Sequence, residues 1–338
     1  MHFHMTIETP LSTQASHLSY DGKTSTIYKI VIGNFFLCLI TLWIYRPWAK
    51  TRIRRYIYSR FAFMGERFQY TGTGGELFVG SCQVFGSLFA AFFVLEILRI
   101  GLIIWAQGGL QEETPQAIAI GLVFTIITYS AFLYLTFFGQ FAGKRYRFSR
   151  TKWRGIRGAI TGKANDYALY GIRLFLLNLI TLWLIAPRNH LKLRQKLVDN
   201  MHFGQQRCTF NPDPRPLYRV HYITWALAIP TLGLSRFWYR AALRNQYYRA
   251  MRAGSIHFHG DQTGLRLLWL VIVNFLLILT LIGLPYAIQR IARYYARHIH
   301  ILGDLSDINL LQATDEGRAT GDVISDAYDG VDFDMGLF

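Results

Sequence analysis

Charged side chains are scarce in this chain of 338 residues: Asp, Glu, Lys and Arg make up 17% of it, whereas about 25% is usual for soluble globular proteins. Apolar residues make up 52%, and the mean hydropathy is +0.20. The length alone would allow about two soluble domains. The apolar residues, however, are gathered in long blocks that a water-soluble core does not need. The composition therefore argues against a soluble or disordered protein and favours a membrane protein.

Cysteine is scarce as well. Cys38, Cys82 and Cys208 are too few and too far apart for a disulfide framework, and none has the paired spacing of a zinc site. The polar segment 1–23 lacks the basic start, short apolar core and small-residue cleavage site of a secretory signal. We therefore expect that nothing is removed from the N-terminus.

Motifs of known enzymes are missing too. The sequence contains no nucleophile elbow, no Cys-x-x-Cys pair and no dinucleotide-binding fingerprint. Three His-x-His pairs could each place two rings on one face of a strand, but no Cys or suitably spaced Glu joins them. These pairs are His2 with His4, His257 with His259, and His298 with His300. We expect no enzymatic activity, no cofactor and no metal site.

The charge is unevenly distributed along the chain. Nine acidic residues lie between Asp304 and Asp334, so residues 1–303 carry 35 Lys and Arg against 11 Asp and Glu. A body this basic suits nucleic acid or anionic lipid headgroups. Because the charges adjoin apolar spans, we expect anionic phospholipids as partners and no nucleic acid. The candidate headgroup contacts lie in basic, Tyr-rich segments: Arg54, Arg55, Arg145, Arg150, Arg154, Arg157 and Arg293.

Long apolar windows predict the fold class. A helix of about 20 apolar residues crosses the ~30 Å hydrocarbon layer with its backbone hydrogen bonds satisfied. Six windows fit, namely 27–45, 77–106, 116–138, 166–185, 218–234 and 265–287. We therefore predict an all-α polytopic membrane protein with about six spans. A polar N-terminal segment (1–26) would precede the membrane domain (27–303), and an acidic, disordered tail (304–338) would follow it.

The segments between the spans repeat one another. The stretch from Arg55-Tyr56 to Thr71-Gly72 recurs 90 residues later, from Arg145-Tyr146 to Thr161-Gly162, and Ile-Thr-Leu-Trp at 40–43 recurs at 180–183. One unit consists of an apolar span, a break often at Pro, a basic amphipathic interfacial helix and a short extended stretch. The extended stretches alternate polar and aromatic residues and could pair as small β-hairpins.

These repeated motifs resemble a known family, the YjgN-type bacterial inner-membrane proteins, whose domain is of unknown function. The resemblance depends on the run from Thr41 to Ala49 that leads into Arg54-Arg55-Tyr56, and on Thr151-Lys152-Trp153-Arg154-Gly155-Ile156-Arg157. It covers about residues 18 to 300. The family implies a multipass inner-membrane location, and no reaction or catalytic residue. Trp43 stands where the family pattern has Gly, and the acidic tail is not a family feature.

The orientation of the spans stays open between two topologies. Six simple crossings put three basic loops on one side but leave the loop 188–217, with six Lys and Arg, on the other. Units that each end in a basic helix would keep all these helices in the cytoplasm. Spans four and five, weakened by Arg173 and Pro230, could instead enter partly and return. In both cases spans two and three form a hairpin with its acidic tip outside.

Five residues form a candidate intramembrane polar site. Glu96 lies inside the second span, where an ionisable group is costly and often functional, and Arg99 follows on the same face. Asn34, Asn178 and Asn274 each lie in a span, where a side-chain amide either bridges helices or lines a polar path.

No motif names a reaction, so the sequence predicts function only by class. It favours a multipass inner-membrane protein that acts in transport or lipid handling. The rival is a non-enzymatic scaffold or regulator of another membrane protein. A polar cavity that reaches Glu96 would favour the first class, and a solid apolar interior would favour the second.

Overall fold

The computed structural model describes residues 15–107, 114–280 and 282–303, which form ten α-helices and twelve short strands. The helices are α1 (Thr24–Ile40), α2 (Arg46–Arg60), α3 (Gly74–Gln107), α4 (Pro115–Arg150), α5 (Ala164–Ile180), α6 (Ala186–Val198), α7 (Arg215–Ala226), α8 (Arg236–Ala250), α9 (Gly264–Leu279) and α10 (Leu284–His298). The strands are β1 (Ala15–His17), β2 (Ser19–Tyr20), β3 (Phe61–Phe63), β4 (Glu66–Arg67), β5 (Gln69–Tyr70), β6 (Thr151–Trp153), β7 (Ile156–Ile160), β8 (Met201–Phe203), β9 (Gln206–Phe210), β10 (Met251–Ala253), β11 (Ile256–Gly260) and β12 (Ile299–Leu302).

These elements are five copies of one unit, in which a pair of helices joined by a turn leads into a β-hairpin. The units begin with α1, α3, α5, α7 and α9. Equivalent positions are 50 residues apart in units two to four, as Thr151, Met201 and Met251 show at the start of their hairpins, and 90 apart between units one and two. The fifth unit obtains the second strand of its hairpin from β1 and β2 at the other end of the chain.

The five hairpins pair into a closed ring. Strands β5 to β12 follow one another in order, and β12 pairs with β1. Only Leu18 separates β1 from β2, and only Phe68 separates β4 from β5, while β3 pairs with both β2 and β4. All pairs are antiparallel. The ring is therefore a small barrel without a free edge, which protects it from further strand pairing.

The barrel has a packed apolar core, because alternate side chains of its strands point to one cluster. Phe63, Trp153, Phe203, Ile256 and Ile301, one from each unit, belong to this cluster. The Trp153 ring centroid lies 5.4 Å from that of Phe63 and 6.0 Å from that of Phe203. The opposite strand positions are mostly basic: Arg67, Lys152, Arg157, His202, Arg207, Arg252 and His257.

The second helices of the units form an inner ring above the barrel. His190 of α6 shares a hydrogen bond with Tyr239 of α8 (2.9 Å), and the Arg244 guanidinium of α8 lies over the ring of Tyr295 of α10. Tyr58 of α2 and Tyr146 of α4 belong to one buried cluster. The first helices lie outside this ring and expose aliphatic and aromatic side chains. In α2, α6, α8 and α10, by contrast, the only exposed large apolar residues are Trp238 and Tyr286.

Sharp turns reverse the chain between the two helices of three short pairs. Leu42 and Trp43 (φ 49° and 68°), Leu182 and Trp183 (φ 48° and 62°), and Leu232 and Gly233 (φ 49° and 83°) all have left-handed backbones. In each turn the second of these residues donates its N–H to the carbonyl five residues earlier at 2.7 Å. This bond is the 6→1 bond of a Schellman motif, which ends α1 and α5 and closes the turn that follows α7.

The prediction of an all-α protein with about six spans is wrong. The described residues contain a ten-position ring of strands, and only α3 and α4 are long and apolar enough to cross a membrane. Simple crossings would put β8 and β9 on the opposite side from β7 and β10, but these strands pair with one another in one sheet. The other four windows are single helices that reverse and return as basic helices. The N-terminal segment supplies strands from residue 15 onward, and the predicted tail 304–338 lies outside the described residues.

Candidate functional site

The turns of the short helix pairs carry exposed apolar side chains. Leu42 is 83% exposed, Leu182 68% and Leu232 93%, and Ile282 near the turn of the fifth unit is 73% exposed. The side chains of the outer helices α1, α5, α7 and α9 continue this surface. Apolar surface this extensive is rare on soluble monomers and indicates contact with lipid or protein. The turns lie at the opposite end of the second helices from the barrel.

Two of the turns hold tryptophan in a conformation that suits glycine. Trp43 and Trp183 have positive φ and stand where the fourth unit has Gly233. A bulky residue with a left-handed backbone costs about 1–2 kcal/mol. The Gly at the equivalent position of the fourth unit, Gly233, adopts this backbone without that cost.

The helix pair of the second unit is much longer than the others. Helix α3 has 34 residues and α4 has 36, against 17 in α1 and 15 in α2. The most apolar window of α3, Phe89–Ala106, has none of its residues buried. Glu96 and Arg99 lie in this window and form an ion pair of 2.7 Å. The structure thus joins the two predicted residues to each other in α3, where both side chains are half-buried while most of the window around them is exposed.

The three predicted asparagines each join the two helices of their own unit. Asn34 donates to the carbonyl of Ala49 at 3.2 Å, and Asn274 accepts from Arg290 at 3.3 Å. Asn178 accepts from Asn189 at 2.7 Å, within a buried pair. These contacts match the helix-bridging interpretation, and they do not bring the asparagines to Glu96.

The predicted headgroup residues do not form one surface. Arg55 donates to the carbonyl of Gly72 and Arg293 to the carbonyl of Gly22, so both fasten the start of the next unit. Arg150 pairs with Glu76 at 3.2 Å. The others are divided between the hairpin of the second unit, at the barrel end (Arg154 and Arg157), and the inner helices (Arg54 and Arg145).

A cationic tier on the inner helices is the feature that sequence reasoning missed. It consists of Arg54, Lys144, Arg194 and Arg244, which occupy the same position in units one to four. All four are half-buried. The Arg194 guanidinium lies over Tyr247 of the next inner helix, as Arg244 lies over Tyr295. The spacing of 90, 50 and 50 residues would have revealed the tier, had the 50-residue period been recognised.

Two side chains near the inner ring, half-buried His190 and buried Cys208, have shifted pKa values. Burial, together with His221 and the Arg236 guanidinium, lowers the pKa of His190 to about 4. Burial raises the pKa of the Cys208 thiol to about 11, so this thiol is not a reactive nucleophile at neutral pH. Neither group belongs to a catalytic arrangement within the described part of the chain.

The histidine pairs have different surroundings. His259 lies opposite His300 in the barrel, with ring centroids 6.4 Å apart, and His298 contacts the carbonyl of Tyr294. No group of three or more His, Cys, Asp or Glu that could hold a metal ion occurs within residues 15–107, 114–280 and 282–303. His2 and His4 lie outside these ranges.

Comparison with known proteins agrees with this repeated architecture. One family model, described as "Bacterial protein of unknown function (DUF898)", matches residues 15–235 and again residues 223–327. The chain belongs to this family. Members of DUF898 therefore include a chain with the five-unit ring described above, and the resemblance to the YjgN-type family is confirmed. No solved structure matches the chain.

Curated relatives match a part of the chain. "Inner membrane protein YjgN" of Salmonella typhimurium is 33% identical over 124 residues, which is 36% of this chain and 28% of the relative. The proteins of the same name from Escherichia coli O157:H7 and E. coli strain K12 are 33% and 32% identical over 138 residues, or 41% of this chain and 29% of each relative. The matched region thus spans less than a third of the length of these curated relatives.

Proposed function

We propose that this DUF898 chain is an inner-membrane protein that handles lipid, by binding anionic phospholipids of the leaflet next to its basic helices. Membrane location is supported by the names of the curated relatives and by the two candidate spans α3 and α4. The observation that carries lipid handling is the exposed apolar turn of each short helix pair, beyond helices rich in Arg and Tyr. This combination suits insertion into one leaflet.

The lengths of the helices set the depth of insertion. A helix of 17 residues such as α1 is about 25 Å long. Its partner α2 returns with six Lys and Arg in 15 residues, so the pair cannot lie wholly in the ~30 Å hydrocarbon layer. In the proposed arrangement the apolar turns dip into one leaflet, while α3 and α4 cross it.

The same arrangement gives one orientation for the whole molecule. All basic loops then lie with the barrel on the cytoplasmic side, as the excess of Lys and Arg in cytoplasmic loops requires. The connection 107–115, which contains Glu112 and Glu113 and no Lys or Arg, would lie on the other side. The loop 188–217, which six crossings misplace, joins the other basic loops.

Two observations favour lipid over a small polar solute as the substrate. The described barrel interior is packed with aromatic and aliphatic side chains around Trp153. Glu96, the predicted ion-handling group, is half-buried in α3 and is paired with Arg99. A path for a polar solute through the barrel would need a polar barrel interior and an acidic side chain that no ion pair neutralises.

Lipid exchange between vesicles tests this function. We expect the reconstituted protein to accelerate transfer of fluorescent phosphatidylglycerol between vesicles, and that of phosphatidylcholine much less. The variant Leu42→Ser/Leu182→Ser/Leu232→Ser should lose most of this acceleration, because its turns no longer enter the leaflet. Met64→Ser changes an exposed apolar residue in a barrel turn and serves as the matched control. A wild-type rate equal to that of protein-free vesicles would reject lipid handling.

The rival function, a scaffold for another membrane protein, is supported by the exposed long helix pair. Phe89 and Phe93 stack on each other at 6.2 Å and are 72% and 56% exposed, a surface on which a partner helix could pack. A photo-crosslinking amino acid at position 93, used in cells, distinguishes the two functions. Crosslinks to lipid alone would favour lipid handling, whereas one dominant protein adduct would favour the scaffold.

A further inference from the structure

The outer face of the barrel carries basic side chains on consecutive hairpins. We call five of them the basic barrel face: Lys152 of β6, His202 of β8, Arg207 of β9, Arg252 of β10 and His257 of β11. Arg207, Arg252 and His257 are exposed, and the other two are half-buried. The strand positions between them point to the apolar core, so the charge is confined to the side of the barrel that meets solvent.

The strand register makes the members of this face neighbours. Arg252 lies directly opposite His257 on one side and opposite Thr209 on the other. Arg207 precedes Thr209 by two residues, so it points to the same face and is a diagonal neighbour of Arg252, at about 7–8 Å. His202 lies directly opposite Arg207. Two like charges at this distance repel each other, so a carboxylate bound beside them stabilises the face.

The hairpins themselves provide no such carboxylate. Residues 151–160, 201–210 and 251–260 contain five Lys and Arg and no Asp or Glu. Among the ion pairs of the described residues, none includes Lys152, Arg207 or Arg252. An acidic partner of this face must therefore come from elsewhere.

The last strand of the barrel leads the chain past this face. Leu302 of β12 lies opposite His257, and Asp304 follows two residues later. Gly303, between them, has a positive φ of 135°, and a Cβ at this residue would lie 2.4 Å from the carbonyl oxygen of Ser255 in the β10–β11 turn. Glycine is the residue that fits this contact. The acidic tail 304–338 thus begins beside the basic barrel face, at the turn end of the hairpins.

The tail matches the face in charge and in reach. It contains nine Asp and Glu against one Arg. Neighbouring strands are about 4.8 Å apart, so the six steps from β12 to β6 cover about 29 Å. An extended chain from Asp304 to Glu316, which includes four of the acids, covers about 43 Å. The match to the family model also continues to residue 327, so this part of the tail lies within the family domain.

The leaflet is too far away to be the partner of this face. In the proposed arrangement the leaflet meets the apolar turns, at the other end of the inner helices. An inner helix of 15 residues such as α8 is about 22 Å long, more than twice the screening length of about 8 Å at physiological salt. The tail, by contrast, is tethered at the face, and a short tether gives an effective concentration in the millimolar range.

We propose that the acidic tail of this chain binds the basic barrel face, with its carboxylates paired to Lys152, Arg207 and Arg252. Single exposed ion pairs are weak, but the tether lets several of them act together. The bound tail covers a surface that would otherwise attract nucleic acid through its phosphates. This inference goes beyond lipid handling, and the proposed function enters it only to exclude the leaflet as the partner.

Distances between two spin labels on the full chain test this contact. One label replaces Thr209, which is exposed opposite Arg252, and the other replaces Gln312 in the tail, in a background that lacks the exposed Cys82. We expect a narrow distance distribution at about 0.05 M NaCl. At about 1 M NaCl, where the screening length falls to about 3 Å, the distribution should become broad.

Variants of the face should reproduce the effect of salt. At low salt Lys152→Gln/Arg207→Gln/Arg252→Gln should give the broad distribution that the wild type has at high salt. The matched control Arg52→Gln/Arg215→Gln/Arg219→Gln removes the same charge from exposed helix positions and should keep the narrow distribution.

Two further measurements separate a lost contact from misfolding. Arg207→Glu/Arg252→Glu should lose the narrow distribution, and adding Asp304→Lys/Asp307→Lys to that variant should restore it. In the full chain, Asp304→Asn/Asp307→Asn/Asp315→Asn/Glu316→Gln should bind a single-stranded oligonucleotide of about 20 bases at least about tenfold more tightly than the wild type at low salt, because the face is then uncovered.

Three results would overturn the inference. A wild-type distribution that is equally broad at both salt concentrations would show that the tail does not bind the barrel. Equal broadening in the helix control would show diffuse attraction to the basic body and would reject the barrel face as the site. A narrow distribution between singly labelled chains that have been mixed would show that the tail binds a second copy. None of these results bears on lipid handling, which the vesicle exchange tests separately.

Discussion

The four short helix pairs and the long pair are built from the same unit, but in the proposed arrangement they meet the membrane differently. Helix α3 exceeds α1 by 17 residues, and α4 exceeds α2 by 21. At 1.5 Å per residue these extensions are about 25 and 31 Å, close to the ~30 Å thickness of the hydrocarbon layer. One unit has thus gained the length of one membrane crossing per helix. In the proposed arrangement, elongation of a single repeat turns a dipping hairpin into a spanning one.

The largest expected effect concerns the side of the membrane on which each connection lies. We expect a single Cys at position 110, in the connection of the long pair, to react with an impermeant maleimide only from the periplasmic side. A Cys at Gly204, in a barrel turn, should react only from the cytoplasmic side. Labelling of both from the same side would show that the long pair does not cross.

The short pairs should depend strongly on their buried polar bridges. In the third unit Asn189 donates to both Leu174 and Asn178, so Asn189→Ala should destabilise the protein by about 1–3 kcal/mol by leaving these acceptors unsatisfied. The double variant Asn178→Leu/Asn189→Leu removes donor and acceptor together and should be much closer to wild type. Thermal unfolding in detergent measures both, and equal losses would contradict the bridge.

Acidification should weaken the contact between the third and fourth units and leave the long pair unaffected. Because the pKa of His190 is about 4 in the folded protein and about 6.5 when unfolded, the unfolded state binds more protons between these values. Stability should therefore fall as pH decreases from about 6.5 towards 4, by about 1 kcal/mol per pH unit at most. The melting temperature of His190→Asn should change less between pH 7 and pH 5 than that of wild type. An equal change would exclude His190 as the source.

The smallest expected effect concerns the turns themselves. Trp43→Gly relieves a left-handed tryptophan and should stabilise the fold by about 1 kcal/mol, while reducing the lipid exchange rate. Gly233→Trp places the same strain in the fourth unit and should do the opposite. Thermal unfolding and vesicle exchange, measured on the same samples, test the pair. A Trp43→Gly protein that is less stable would show that the indole packs within the fold.

The sequence predicted the repeat and the membrane class but not the ring. The recurrence of Arg55-Tyr56 as Arg145-Tyr146 revealed the unit, and the alternation at 67–70 indicated strands. The span count failed because hydropathy does not register the turn at Leu182-Trp183, where a left-handed backbone reverses the helix. The hydrogen bond between Asn178 and Asn189 joins the two helices on either side of this turn, and a hydropathy window along one helix cannot detect it. The cationic tier likewise consists of one residue from each of four units. It forms only when their helices are neighbours, so the sequence of a single unit does not reveal it.

Strand β12 reaches its neighbour β1 across nearly the whole described chain. During synthesis the ring must stay open until Ile299–Leu302 leaves the ribosome, so closure pairs a strand that is made early with one that is made late. A permuted gene that joins position 303 to position 15 by a short linker, and opens instead at the connection 107–115, would move this late step into the long pair and show how much the order of synthesis matters.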